Sequence, residues 1–348
     1  MRKRNLLIDA AKGLGILLVV LGHSIQQNIP DFDGNIYFRF IYSFHMPFFM
    51  FLSGCVSKYG DHRSITKNIL RLVVPFLSWY IIAISISGIK IGQMPALGES
   101  FITLFKMPDY GLWFLWVLFL CHVCFYIISI IQKNFGLVIS IVFFVLIQFT
   151  RINVAGIPFL KTYFVYFIAG YLFLHYKNFF ISRHNYFMFI SVICFLCAVP
   201  YWQRTDNNLL LGLLDRFPPV FSRYIPYPSI LFRYATAFAG IGTMLTIVYF
   251  LIKIQPLKIA LTWIGLFTLD IYVSHQLMLA YGVGNSKTMV VLTCFAFALS
   301  GSLLLSLVLK KIPYLKMILY GISDRKIKPN TIKIQNPQYP PEELTSTG

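Results

Sequence analysis

The sequence predicts an all-α polytopic integral membrane protein with about ten transmembrane helices and both termini in the cytoplasm. Three observations carry this. The 348 residues are 57% hydrophobic and only 12% charged, against about 25% charged in a soluble domain. Apolar runs recur from residue 6 to residue 309, many near the roughly 20 residues that cross a bilayer. Lys and Arg concentrate in every second loop, as expected for cytoplasmic segments. The net charge of +18 therefore follows from membrane topology, and no nucleic-acid partner is implied.

Ten segments read as spans: 6–27, 36–56, 69–90, 112–131, 135–150, 156–175, 186–200, 230–252, 259–281 and 288–309. The fifth and seventh are short. The opening MRKRN mimics a secretory signal, but no small-residue cleavage site follows, and Asp9 and Lys12 interrupt the apolar run. It is therefore expected to stay as the first helix. With the N-terminus inside, cytoplasmic segments hold Arg2, Lys3, Arg4, Lys58, Arg63, Lys67, Arg71 and most of the tail lysines. Outside segments hold only Lys90, Lys106, Arg151, Arg204, Arg216, Arg223 and Lys287. The expected organisation is a membrane domain over 1–312 and a basic to polar cytoplasmic tail over 313–348, with no appended soluble domain. The six cysteines lie in or beside apolar segments. Their two C-x-x-C pairs lack a second pair at zinc spacing, so buried small residues and no metal are expected.

The first span is the most informative. Ile8–Ser24 reads IDAAKGLGILLVVLGHS and carries Asp9, Lys12 and His23. A charge near the bilayer centre costs about 2.5–3.5 kcal/mol on insertion scales, so such residues usually face protein. Asp9 and Lys12 are one turn apart and can pair. Lys12 and His23 are eleven residues apart, about three turns and about 16 Å on one face. A histidine near a helix end is often an interfacial residue. Here it shares its face with Lys12, and the alternating topology puts His45 and His275 at similar depth. Arg39, Lys161 and Arg233 fall in the same outer half. Imidazole is the usual general base near neutral pH.

Other stretches offer two readings each. In Tyr42–Gly54, YSFHMPFFMFLSG, Pro47 forces a kink or break. His45 is then either a hydrogen-bonder at that kink or a second polar residue of a site. Lys58, Arg63, Lys67 and Arg71 before Pro75 are either inside-loop charge or a clamp for the phosphates of a cytosolic donor. Trp113 and Trp116 suit an interfacial belt or an acceptor-binding surface. Asp270 and His275 are five apart on the ninth span, and His275 is the more inward of the two. The outer loop 201–229 mixes aromatic and charged residues, which suits either sugar contact or the membrane interface.

Taken in order, IDAAKGLGILLVVLGH, FHMPFFMFLSG, RLVVPF at 71–76, LWFLWVLF and IGLFTLDIYVSH resemble the acyltransferase family 3 membrane proteins. That group contains O-antigen and other polysaccharide O-acetyltransferases, and the likeness is greatest to its fucose-4-O-acetylase-like branch. It runs from about Ile8 to Ile312. The family pattern of a basic residue, ten residues and a histidine is met by Lys12 and His23. The basic residue is usually arginine, so Lys12 keeps the charge but lacks the planar fork.

The resemblance implies His23 as catalytic histidine, acting as general base or as a transient acyl carrier, supported by Lys12, His45 and His275. It implies acetyl-CoA as donor, with Lys67 and Arg71 in the stretch linked to donor binding, flanked by Lys58 and Arg63. Asp9, Arg39, Trp113, Lys161 and Arg233 are the candidate acceptor contacts. The acceptor is a glycan or lipid-linked sugar and the location a bacterial inner membrane; succinyl is the alternative acyl group, and a homo-oligomer is compatible. Many relatives carry a further C-terminal hydrolase-like domain, so this chain is expected to complete the transfer itself or with a partner. A transporter or flippase of a lipid-linked sugar, or a glycan polymerase, would also place charges in mid-membrane.

Overall fold

The computed structural model describes residues 5–58, 63–93, 96–108, 112–131, 136–176, 184–204 and 226–322, and these contain helices and no strand. Helix α1 (Leu6–Asn28) is the axis of the bundle. Asn5 caps it, accepting from the amides of Leu7 and Ile8, and thereby satisfies donors that a helix start leaves bare. Around α1 pack α2 (Ile36–Tyr42), α3 (His45–Val56), α11 (Pro226–Leu251), α12 (Gln255–Leu266), α13 (Thr268–Met278) and α14 (Lys287–Leu309). A second tier comprises α4 (Arg63–Asn68), α5 (Val74–Ile91), α6 (Leu97–Lys106), α7 (Trp113–Ile131), α8 (Gly136–Gln148), α9 (Ile157–His175) and α10 (His184–Ala198). The short α15 (Pro313–Tyr320) docks on α5, where the Trp79 indole donates to the Leu319 carbonyl at 2.8 Å.

Two crossings set the spacing. A Cβ on Gly13 would overlap the Leu261 carbonyl, and one on Gly265 would overlap the Asp9 carbonyl. Gly54 and Gly170 do the same for α3 against α9. Lipid gives helices no hydrophobic reason to associate, so small residues that admit close backbone contact supply it. The remaining interior is aromatic: Phe44, Phe48, Phe164, Phe167 and Phe195 are fully buried.

All ten predicted segments fall on helices, but not as ten full spans. Among the described residues six helices are long and apolar enough to cross a membrane, or seven if one bent pair counts as a span. Segment 36–56 is divided at Ser43–Phe44 into α2 and α3. The break precedes Pro47, which thus sits in the first turn of α3, where its missing N–H costs least. Segment 259–281 bends by 75° between α12 and α13. Segments 135–150 and 186–200 yield helices of 13 and 15 residues, too short to span unaided. Hydropathy registers apolar content, and that content continues straight through both breaks.

Ile69–Val73 forms a π-turn leading into α5. Pro75 cannot donate to the carbonyl of Arg71 four residues earlier, and the wider turn accommodates that loss. Arg71 therefore lies in the distorted turn.

Candidate functional site

The break after α2 and the bend before α13 bring three histidines round one end of α1. The His23 and His275 rings are 5.2 Å apart. The Tyr42 ring lies 5.8 Å from His23 and 4.6 Å from His45, so Tyr42 joins the three. His45 and His275 are buried, with His275 fully enclosed. The three imidazoles and Tyr42 thus share one space.

Hydrogen bonds fix how these rings are presented. His45 Nδ1 lies 3.0 Å from the Ile41 carbonyl. His275 Nδ1 lies 3.0 and 2.8 Å from the carbonyls of Ile271 and Tyr272. A carbonyl only accepts, so each Nδ1 carries the proton and each neutral ring offers a bare Nε2. Among the described residues His275 Nε2 is buried with no hydrogen-bond partner. His23 Nδ1 is 3.2 Å from Gln26 Oε1 and 3.1 Å from the Tyr42 hydroxyl.

Towards the α1 N-terminus lies a cavity of about 180 Å³. Lys12, Ser53, Asn68, Arg71, His122 and Thr268 supply polar lining, and Ile16, Phe49, Phe114 and Leu118 much of its apolar wall. Tyr272 also lines it, and its ring is 6.1 Å from that of His275. One tyrosine thus connects a cation-lined cavity to the histidine cluster. This agrees with the geometry of α1, whose Lys12 and His23 share a face.

The other sequence candidates are placed as follows. Lys58 and Lys67 are exposed and outside the cavity lining, whereas Arg71 lines it. The Arg63 side chain and the loop 205–225 lie outside the described residues. Asp9 is half-buried where α12 crosses α1. Arg39 donates to the carbonyls of Asp33 and Pro200 at 2.7 and 2.9 Å. Arg233 donates to the carbonyls of Gln203 and Arg204, and Arg204 pairs with Asp33. These arginines tie the segment after α10 to the loop before α2. Lys161 donates to the Thr150 carbonyl, and Trp113 stacks on Phe159 with centroids 4.7 Å apart.

Sequence reasoning passed over Tyr42, Gln26 and His122. It also passed over a buried network in which Lys310 and Ser306 of the α14 end both contact the Asp270 carboxylate. Asp270 faces α14 while His275 faces α1, as their five-residue separation requires. Among the described residues no group of three or more His, Cys, Asp or Glu is placed to hold a metal.

Clustered imidazoles beside a cation-lined cavity define a helical membrane protein with a buried polar site, since ionisable groups in membrane helices face protein or a cavity and mark function. The family described as an acyltransferase domain matches residues 5–311, and the chain belongs to that family. Two curated relatives are nodulation proteins NolL. The one from Mesorhizobium japonicum is 28% identical over 224 residues, 60% of each chain. The one from Sinorhizobium fredii is 28% identical over 239 residues, 60% of this chain and 61% of its own. The chain thus spans about three fifths of the length of these relatives. No solved structure matches it.

Proposed function

We propose that the protein is a membrane-bound O-acetyltransferase that moves acetyl from acetyl-CoA to a hydroxyl of a cell-surface polysaccharide or lipid-linked sugar. Family membership supports acyl transfer over the flippase and polymerase alternatives. The observation that carries the finer reading is a cavity lined by Lys12 and Arg71 whose Tyr272 wall packs 6.1 Å from His275 of the three-histidine cluster. The cavity end bearing Lys12 and Arg71 suits the phosphates of CoA, and in this reading it opens to the cytoplasm of a bacterial inner membrane. The pantetheine arm then runs along α1 towards His23.

The chemistry needs one base and one path for one proton. His23 Nε2 takes the proton of the sugar hydroxyl as its oxygen attacks the thioester carbonyl. The new C–O bond forms, the C–S bond breaks, and the proton passes to the departing thiolate to give CoA. A neutral His45 or His275 offers a lone pair, so these rings suit accepting from the sugar hydroxyls better than holding an oxyanion. Succinyl-CoA remains the alternative donor.

The test is acetyl transfer from radiolabelled acetyl-CoA by membranes carrying the wild type, His23→Ala, or Lys12→Ala with Arg71→Ala. The expected outcome is loss of turnover in the first variant and a raised KM for acetyl-CoA in the second. Wild-type turnover in His23→Ala would remove the catalytic assignment. Glycan analysis of a strain lacking the protein identifies the acceptor.

A further inference from the structure

We propose that Gln26 and Tyr42 are positioning residues that lock His23 in the tautomer carrying its proton on Nδ1, so that Nε2 is free as the base. The inference rests on the reading of His23 given above, but its structural half can be measured without any activity.

Three atoms form a closed triangle: His23 Nδ1 to Gln26 Oε1 at 3.2 Å, His23 Nδ1 to the Tyr42 hydroxyl at 3.1 Å, and the Tyr42 hydroxyl to Gln26 Oε1 at 2.6 Å. Gln26 Oε1 can only accept. At 2.6 Å the two oxygens need a proton between them, and only the tyrosine has one to give. Its hydroxyl proton is therefore committed to Gln26. The third edge then requires Nδ1–H as donor, to the Tyr42 oxygen or to Gln26 Oε1. The opposite tautomer would leave a bare Nδ1 facing two oxygen acceptors. When Nε2 takes the substrate proton, the same two oxygens stabilise the imidazolium through Nδ1–H.

Four features of the fold build this triangle. His23 and Gln26 are three apart on α1 and share a face. Tyr42 is the last residue of α2, just before the break at Ser43–Phe44. Gly22 makes room for it, since a Cβ there would lie 2.9 Å from the Tyr42 ring. Phe38 stacks on that ring at 3.9 Å between centroids.

The experiment compares Tyr42→Phe, Gln26→Leu and Gln26→Glu in membranes and in purified full-length protein. Expected in Gln26→Leu is a fall in kcat of roughly tenfold, the size of one lost supporting hydrogen bond, with KM for acetyl-CoA unchanged. Tyr42→Phe, which removes only the hydroxyl, moves in the same direction. Gln26→Glu keeps the acceptor and restores most of kcat. Its carboxylate favours the imidazolium, so the acidic limb of the kcat/KM profile moves to higher pH. Wild-type kcat in Gln26→Leu, or an unmoved limb in Gln26→Glu, would overturn the proposal. Nitrogen-15 NMR of histidine-labelled protein in bilayers, assigned by subtracting His23→Gln, should show Nδ1 protonated in wild type and a mixed tautomer in Gln26→Leu. An unchanged tautomer there overturns the proposal whatever the activity. Full activity of His23→Gln with the expected tautomer change would instead defeat only the assignment of His23 as base.

Discussion

At the scale of single residues, the buried His275 Nε2 without a partner is the clearest sign of a site rather than a core. An unsatisfied buried acceptor costs about 1–3 kcal/mol, and replacing it with an apolar group can be neutral or stabilising. His275→Leu is therefore expected to keep or raise the melting temperature while lowering turnover at least tenfold. Thermal unfolding and a transfer assay on one preparation check both halves. The histidines themselves stood out in the sequence, because ionisable groups are rare in membrane helices and usually face protein. Gln26 and Tyr42 did not. A glutamine near a helix end and a tyrosine in an aromatic stretch have nothing in their spacing to set them apart. Only the α2–α3 break brings the tyrosine to the histidine.

At the scale of elements, two contacts hold the walls of the site. The Lys310–Asp270 pair joins α14 to α13, with Asp270 4% exposed at its side chain. Removing one partner of a buried pair strands the other charge, at about 3–5 kcal/mol. Lys310→Met should lose that much stability, and adding Asp270→Leu should recover most of it; denaturant unfolding of the single and double variants decides. The pairing spans 40 residues, too far for any local sequence pattern to show it. The α1–α12 crossing is the second contact. Gly265→Val places a branched side chain against the Asp9 carbonyl. It should cost about 1–3 kcal/mol and lower turnover by moving Lys12, measurable as a raised KM for acetyl-CoA. The glycines were visible in the sequence, but which helices they join was not. The two mid-span breaks were illegible for a related reason: Phe44 and Phe267 are as apolar as their neighbours.

At the scale of the whole molecule, the arrangement is a cation-lined cavity towards one end of α1 and an imidazole cluster towards the other, joined at Tyr272. Ser53 lines the cavity, so a cysteine introduced by Ser53→Cys in a cysteine-free background should react with a small thiol reagent. Acetyl-CoA should slow that reaction several-fold, and free acetate should not. Equal rates with and without acetyl-CoA would place the donor elsewhere. The membrane class, the helical fold and the opening span were readable because they rest on composition and on a single uninterrupted helix. The closure of the bundle around that helix depends on contacts between residues more than two hundred positions apart, such as Gly13 with Leu261, which no local pattern encodes.

The central claim is that the His23 ring is the base served by that cavity. Its most direct measurement is the single-turnover rate of acetyl transfer in His23→Gln, with acetyl-CoA affinity determined on the same protein. The account predicts a rate lower by about 10²- to 10⁴-fold, the range for loss of a general base, with affinity unchanged. An unaltered single-turnover rate would contradict it.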